Sequence, residues 1–163
     1  MTEPNYGLEQ AKAQYSSIKQ MVAALEVDYA RLEELKEEFE SDMPEDDRAE
    51  WIKENCVEFA DLQSEADFCA DVEDAMLQIQ EDPLSVQVRS GWVDPGTPME
   101  AEEFEILLAT GGPAVRIRGE LDEHGEPCTA RMEWQDWGTP WTPWNGADEA
   151  VLLRYASNFY FGG

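Results

Sequence analysis

The chain has 163 residues, of which 37 are acidic and only 11 are basic, so its formal charge is −26 and its pI is near 4.1. Such a charge strongly disfavours direct binding to nucleic acid or to an anionic membrane surface, and it favours basic partners. Hydrophobic residues make up 42% of the chain and include six Trp, which is enough for a core and excludes a wholly disordered protein. The length suits one domain, or one domain with a helical appendage.

Two long helices are predicted first. Apolar residues from Leu8 to Leu32 recur alternately every three and four positions, the pattern of a coiled-coil seam, which predicts one helix over residues 8–40. Asp42 and Glu45 have the spacing of a capping box before a second helix over residues 46–82, which ends before Pro83. The apolar seam of this second helix is Ile52, Cys56, Phe59, Leu62, Ala66, Cys69, Val72, Met76 and Ile79. The short connection predicts an antiparallel hairpin, and the alternative of seams paired between two chains in a homodimer stays open.

From Leu84 onward the period changes to two, which predicts strands. Alternating apolar residues indicate four of them, near residues 84–92, 104–108, 115–121 and 132–134, separated by turns rich in Gly and Pro. Asn145 or Asp148 can cap a last helix through residues 151–159. The predicted fold class is α+β, with a coiled-coil-like helical hairpin at residues 1–82 and a roughly four-stranded antiparallel sheet with one C-terminal helix at residues 83–163.

The second predicted helix carries an unusual run of negative charge. Between Lys53 and Arg89 there is no Lys or Arg. Six acidic residues are spaced by threes and fours, about 200° from the predicted seam, and so predict one solvent-facing stripe: Asp47, Glu50, Glu54, Glu58, Asp61 and Glu65. Three more acidic residues would extend it: Asp67, Asp71 and Asp74. The stripe is interpreted as a mimic of nucleic acid, in which carboxylates replace phosphates. The alternatives are an ordinary solvated helix face and adaptation to high salt.

Two further surfaces come from the predicted sheet. Trp137, Trp141 and Trp144 form either an aromatic surface that binds a partner or a loop that caps the core. Four arginines fall on the non-core side of their strands, which favours cross-strand pairing with glutamates over an anion-binding face: Arg89, Arg116, Arg118 and Arg131.

No catalytic or cofactor site is predicted. The three cysteines are Cys56, Cys69 and Cys128; the first two lie on the apolar seam, and the only histidine, His124, lies in a turn, so no set of metal ligands is expected. The odd cysteine count and a start without a basic or apolar run predict a cytoplasmic protein with reduced thiols. Carboxylates are too numerous for their presence to indicate an enzyme.

Several segments resemble small acidic proteins of bacteriophages and prophages. They are residues 81–92 (EDPLSVQVRSGW), 119–127 (GELDEHGEP), 135–142 (QDWGTPWT) and the ending at 159–162 (FYFG). The resemblance covers residues 78–163 and implies a phage origin, with action in the host-cell cytoplasm. In bulk charge the chain also resembles DNA-mimic inhibitors of restriction enzymes, CRISPR complexes and uracil-DNA glycosylase.

These observations predict a non-enzymatic, phage-encoded inhibitor, of the anti-CRISPR or anti-restriction kind. The acidic stripe would occupy the basic groove of a host nucleic-acid-binding complex and block DNA by competition. The alternative is a dimeric coiled-coil adaptor that binds a phage or host protein through the aromatic face of its sheet.

Overall fold

The computed structural model describes residues 5–162, and within them it has five helices and one five-stranded antiparallel sheet, which confirms the α+β class. The helices are α1 Tyr6–Leu25, α2 Tyr29–Glu40, α3 Glu45–Ala66, α4 Val72–Glu81 and α5 Glu149–Ala156. The strands are β1 Ser85–Arg89, β2 Glu103–Ala109, β3 Ala114–Glu120, β4 Arg131–Gln135 and β5 Thr142–Trp144. The chain divides into two compact units, which are Gln20–Leu77 and a unit formed by the described residues up to Lys19 and from Gln78 onward. The predicted boundary between residues 82 and 83 stays a prediction.

The first predicted helix is two helices, because the chain leaves the helical path at residues 26–28. Asp28 caps α2, its side chain accepting a hydrogen bond of 3.0 Å from the backbone N–H of Arg31. Asp favours this position because its short side chain satisfies a backbone donor that the helix leaves unpaired. Val27, inside the break, is buried, and so the interruption belongs to the core of its unit.

The second predicted helix is also two helices. Asp67 and Phe68 have φ angles of 49° and 70°, and so the chain turns left-handed after α3. Asp71 then accepts a hydrogen bond of 2.8 Å from the N–H of Asp74, whose own carboxylate accepts one of 2.9 Å from Ala70 N. The capping box predicted for Asp42 and Glu45 is wrong, because Pro44 is the N-cap of α3 and makes no side-chain cap hydrogen bond.

In the unit Gln20–Leu77, α2 and α3 pack antiparallel, so the predicted hairpin consists of this pair. Val27, Leu32 and Ala66 are buried together, with Tyr29, Phe59 and Leu62 packed against them. Towards the other end of the pair, Phe39 lies 5.6 Å from Trp51 and 6.1 Å from Phe59, measured between ring centroids.

The buried line of α3 differs from the predicted seam in its first half. Trp51 and Asn55 are half-buried, whereas Ile52 is 41% exposed and Cys56 is exposed. The Trp51 ring packs on aromatic neighbours and its Nε1 donates a 2.8 Å hydrogen bond to Glu38. A large ring that needs both apolar contacts and a hydrogen-bond acceptor takes the inward position from the smaller Ile52. Beyond Phe59 the prediction holds at Leu62, Ala66, Cys69 and Ile79, whereas Val72 and Met76 are exposed.

The sheet is a meander in which each strand pairs with the next along the chain, in the order β1-β2-β3-β4-β5. Four strands lie where they were predicted, and β5 was missed because Pro143 indicated a loop. Proline is compatible with an edge strand, since its missing N–H can face away from the neighbouring strand. Residues of β2 alternate between buried and half-buried, with Phe104, Ile106 and Leu108 facing the core.

Helical residues of the same unit complete this core. Tyr15 packs edge-on against Trp144, with ring centroids 5.5 Å apart, and its hydroxyl accepts a 3.0 Å hydrogen bond from Asp148 N, at the N-cap of α5. The buried Tyr155 of α5 donates a 2.6 Å hydrogen bond to Asp82, and burial together with this bond raises the pKa of Tyr155. Near the end of the described chain, the ring of Phe161 packs 4.9 Å from that of Phe104.

Candidate functional site

The six carboxylates of the predicted stripe are all exposed along α3, as proposed from their spacing: Asp47, Glu50, Glu54, Glu58, Asp61 and Glu65. Their position around the helix differs from the prediction. The inward-facing line is Arg48, Trp51, Asn55, Phe59, Leu62 and Ala66, and each of these follows a stripe residue by one. One residue corresponds to about 100° in an α-helix. The stripe therefore flanks the α2–α3 interface and does not lie on the back of α3.

One carboxylate of the stripe is neutralised across that interface. Arg31 of α2 makes two hydrogen bonds to Glu58, of 2.7 and 3.2 Å, and its third guanidinium nitrogen lies 3.1 Å from Glu34. The bonds from Arg31 lower the pKa of Glu58. Arg31 thus joins acidic residues of both helices, so the negative surface extends over the α2–α3 seam.

The other five stripe residues form no ion pair within residues 5–162. The nearest basic residues along α3 are Arg48, whose guanidinium binds the backbone carbonyl oxygens of Phe39 and Ser41, and Lys53, which is exposed. Arg48 therefore serves the C-terminal end of α2. The stripe presents five uncompensated charges to solvent.

The charge per unit length of a DNA duplex indicates how much of the unit a nucleic-acid mimic would need. The 22 residues of α3 span about 33 Å, over which a DNA duplex carries about 19 negative charges. The five unpaired charges of the stripe supply about a quarter of that. The unit Gln20–Leu77 holds 20 acidic and four basic residues, a net charge of −16. Only the whole unit approaches the charge density of a duplex, so the candidate site is this unit and the stripe is one side of it.

The predicted extension of the stripe has local structural roles as well. Asp67 is half-buried at the left-handed end of α3, while Asp71 and Asp74 are exposed and accept the hydrogen bonds that start α4. A carboxylate oxygen that accepts a backbone N–H keeps its negative charge, so both groups still contribute to the field of the unit.

The three tryptophans of the predicted second surface differ in exposure. Trp137 is 76% exposed. Trp141 is half-buried beneath the guanidinium of Arg116, which lies 4.0 Å from the ring centroid, and Trp144 is half-buried against Tyr15. Trp141 and Trp144 thus stabilise the sheet unit, and of the three only Trp137 presents most of its side chain to solvent.

Three of the four arginines on the non-core face of the sheet, Arg89, Arg116 and Arg131, pair with glutamates, the interpretation favoured above. Arg118 forms no ion pair within residues 5–162. Arg116 Nε lies 2.8 Å from the buried Glu133, which also accepts a 3.2 Å hydrogen bond from Arg131. Burial opposes the ionisation of Glu133, but the bonds from the two arginines outweigh it and lower the pKa of that carboxyl. Arg89 pairs with Glu103 in the same way. The basic residues of the sheet are therefore used mainly to hold its own strands together.

Two exposed aromatic residues were missed from the sequence. Phe68 at the α3–α4 turn and Trp92 after β1 are both fully exposed, at 102% and 105% of their reference areas. The sequence predicts Phe68 inside a continuous helix over residues 46–82. The turn signal of Pro95 and Gly96, close to Trp92, was the only indication that this ring lies in a loop.

The described part of the chain contains no group of three His, Cys, Asp or Glu residues placed to hold a metal ion. None of its helices has the length and apolar character that a membrane span requires.

Comparison of the chain with protein-family models, with curated proteins and with solved structures gives no significant match.

Proposed function

We propose that the protein is a non-enzymatic inhibitor that occupies the basic nucleic-acid-binding groove of another protein and keeps DNA out by competition. The observation that carries the proposal is the unit Gln20–Leu77, which has a net charge of −16 and exposes five α3 carboxylates that no described basic side chain pairs. Repulsion within such a row of unpaired carboxylates lowers the stability of the helix. Basic groups of a partner protein would remove this repulsion.

The physical basis is the one that governs DNA binding itself. A groove lined with Lys and Arg gains free energy when a polyanion displaces its counterions, and the gain falls steeply as salt increases. A protein of charge −26 is also steered towards such a groove, which raises the association rate at low ionic strength. Carboxylates fixed on helices lose little conformational freedom on binding, which favours them over a disordered acidic tail.

The proposed target class is a host defence complex that must bind DNA, such as a CRISPR effector or a restriction enzyme, in the cytoplasm of the host cell. This choice rests on the resemblance of residues 78–163 to small phage proteins. The proposal expects no direct nucleic-acid ligand, membrane, metal or cofactor.

The test neutralises three unpaired stripe residues together, Glu54→Gln, Asp61→Asn and Glu65→Gln. The matched control removes the same number of charges from exposed loops of the other unit, Glu100→Gln, Glu123→Gln and Glu126→Gln. Glu58 is left intact because its bond to Arg31 supports the fold. Each protein is titrated against purified CRISPR effectors and restriction enzymes, with their DNA binding as the readout.

The stripe variant is expected to inhibit about 100-fold less well than the unmodified protein, on the basis of about 1 kcal/mol per lost contact. Its inhibition should also depend less steeply on salt. The control variant should lose only the small part of the inhibition that depends on the overall charge of the protein. Equal losses in both variants would mean that charge acts without a defined surface, and an unaffected stripe variant would remove α3 from the mechanism.

A second candidate is an adaptor that dimerises, and one observation favours it. Ile52 and Cys56, one turn apart on α3, are both exposed on a side other than that of the carboxylates. A pair of exposed apolar residues on an otherwise acidic helix is a candidate interface between two copies. Sedimentation at physiological salt separates the candidates, because a stable dimer that is lost on Ile52→Ser favours the adaptor.

A further inference from the structure

β1 is one of the two edge strands of the sheet. Among the described residues, β1 pairs with β2 only, in the register from Ser85 opposite Leu107 to Arg89 opposite Glu103. Such an edge presents a row of backbone donors and acceptors that another strand can pair with. β1 lacks most of the devices that block pairing, since it has no internal proline and its single charge is at its last residue.

The core-facing side of the same strand is incompletely covered. Leu84 and Val88 are 59% and 46% exposed, although they alternate with Val86 along the face that carries Phe104 and Ile106 on the neighbouring strand. The hydrophobic face of the sheet therefore continues beyond the elements of its own unit. A strand placed next to β1 would extend that face and cover these side chains.

The loop that follows β1 adds an apolar groove. Trp92 is fully exposed, Met99 is 77% exposed, and together with Val93 they line a cavity of about 570 Å³ that reaches back to the Arg89–Glu103 pair. Two large apolar residues that both project into solvent beside an open strand are a costly arrangement for an isolated protein, and typical of a surface that binds a peptide segment.

Charge indicates the kind of segment. Residues 81–105 contain seven acidic residues and one basic residue, Arg89, which is already paired with Glu103. Asp94 and Glu100 lie in the loop itself and are exposed. A second copy of this chain would bring the same negative charge to the edge, and both copies would carry −26, so like-charge repulsion opposes self-pairing.

We propose that the outer edge of β1 binds an extended, basic segment of a partner protein as a sixth strand of the sheet, with one apolar side chain of that segment held between Trp92 and Met99. Backbone hydrogen bonds to β1 would supply affinity, the groove would select an aromatic or branched residue, and the surrounding carboxylates would select Lys or Arg at alternate positions. This surface lies in a different unit from the acidic stripe and does not depend on the function proposed above.

The test uses synthetic peptides of about eight residues that alternate Lys with Val, Leu or Phe, a length that suits one strand. Binding is followed by fluorescence polarisation and by the amide NMR shifts of the full-length protein. The proposal expects saturable binding below ~1 mM, with the largest shifts at residues 84–93. Trp92→Ala with Met99→Ala should weaken it at least about tenfold, since two exposed anchors are lost. Trp137→Ala, another exposed tryptophan in the same unit, is the matched control and should bind as before.

A control peptide separates strand addition from simple attraction between charges. This peptide has the same length and charge and a central proline, so it cannot complete the backbone ladder and should bind far more weakly. Equal binding of this peptide overturns the proposal, as does the absence of saturable binding by every member of the set, or a set of shifts centred on α3. Sedimentation of the peptide-free protein completes the test, because a dimer abolished by Trp92→Ala with Met99→Ala would identify the edge as a self-interface instead.

Discussion

The stripe on α3 predicts that removing two of its carboxylates stabilises the fold. The pair of changes Glu54→Gln and Asp61→Asn removes two interactions between uncompensated like charges, that of Glu54 with Glu50 and that of Asp61 with Glu65. Glu58, the neighbour that both share, is already neutralised by Arg31. Each such interaction costs about 0.2–0.5 kcal/mol on a helix surface. Gln and Asn have helix propensities close to those of Glu and Asp, so propensity changes little. The free energy of unfolding should rise by about 0.4–1 kcal/mol.

Thermal and urea unfolding at neutral pH and low salt measure this gain. For a chain of this length it corresponds to an increase in Tm of about 1–4 °C. The gain should shrink in ~1 M NaCl, where the Debye length falls to about 3 Å and neighbouring charges no longer interact. The same double change at Glu100 and Glu123, which lie in loops of the sheet unit, is the control and should leave stability within about 0.5 kcal/mol of the unmodified protein.

A loss of stability in the double variant would refute the reasoning, because it would mean that Glu54 and Asp61 make favourable contacts within the fold. An unchanged Tm at low salt would show that counterions already neutralise the stripe, and that it holds no excess charge for a partner. If the double variant is more stable and also inhibits DNA binding less well, then the stripe lowers stability and contributes to binding, as expected for a functional surface.

Three further predictions concern the fold. Glu133→Gln should lower the free energy of unfolding by about 2–3 kcal/mol at neutral pH, because it removes the main partner of the nearly buried Arg116. The pKa of Glu133 is lower in the folded protein than its unfolded value near 4.5. The contribution of this carboxylate to the free energy of unfolding is therefore fully present above pH 4.5 and is lost as the pH falls through the folded-state pKa. In acid, the free energies of unfolding of the two proteins, measured in urea, should become equal. Gly119→Ala should destabilise by more than about 3 kcal/mol, read by the same assay, because its Cβ would lie 1.8 Å from the carbonyl oxygen of Thr129. Phe68→Gly should raise the Tm. Phe68 has a left-handed φ of 70°, a strain of about 1 kcal/mol that glycine does not have, and its ring has no buried area to lose. A lower Tm would show that the ring contributes to packing.

The sequence could predict the parts of the fold that depend on simple periodicity. Four strands of the sheet and the cap of α5 at Asp148 follow from alternation and from cap chemistry, and the structure confirms them. The two helix breaks were missed because the apolar period continues through them. At Asp28 a side-chain cap replaces a helical hydrogen bond, and at Asp67 and Phe68 two residues other than glycine adopt a backbone conformation that composition rarely predicts. The break at Asp28 leaves no gap in the hydrophobic pattern, because Val27 stays buried.

The exposure of the acidic stripe could also be predicted, but its angle could not. The angle depends on which of two adjacent residues turns inward. Trp51 takes that position from Ile52 through contacts with Phe39 of α2 and Phe59 of α3. Each stripe residue therefore lies about 100° from the inward line, and this position places Glu58 within reach of Arg31. Pairing of one stripe residue is therefore a consequence of tertiary packing, which no reading of spacing along α3 alone could supply.

The two units use their carboxylates in opposite ways, and this bears on why the chain is so acidic. Adaptation to high salt would distribute acidic residues over the whole surface. Here the unit Gln20–Leu77 has a net charge of −16 in 58 residues, whereas the other 105 residues have a net charge of −10. In the sheet, arginines bind Glu103, Glu105 and Glu133 across strands, so those acids contribute to folding. Along α3 only Glu58 receives such a partner. Selection for solubility alone would not concentrate unpaired charge in the smaller unit, where it weakens the helices most; selection for a basic binding partner would.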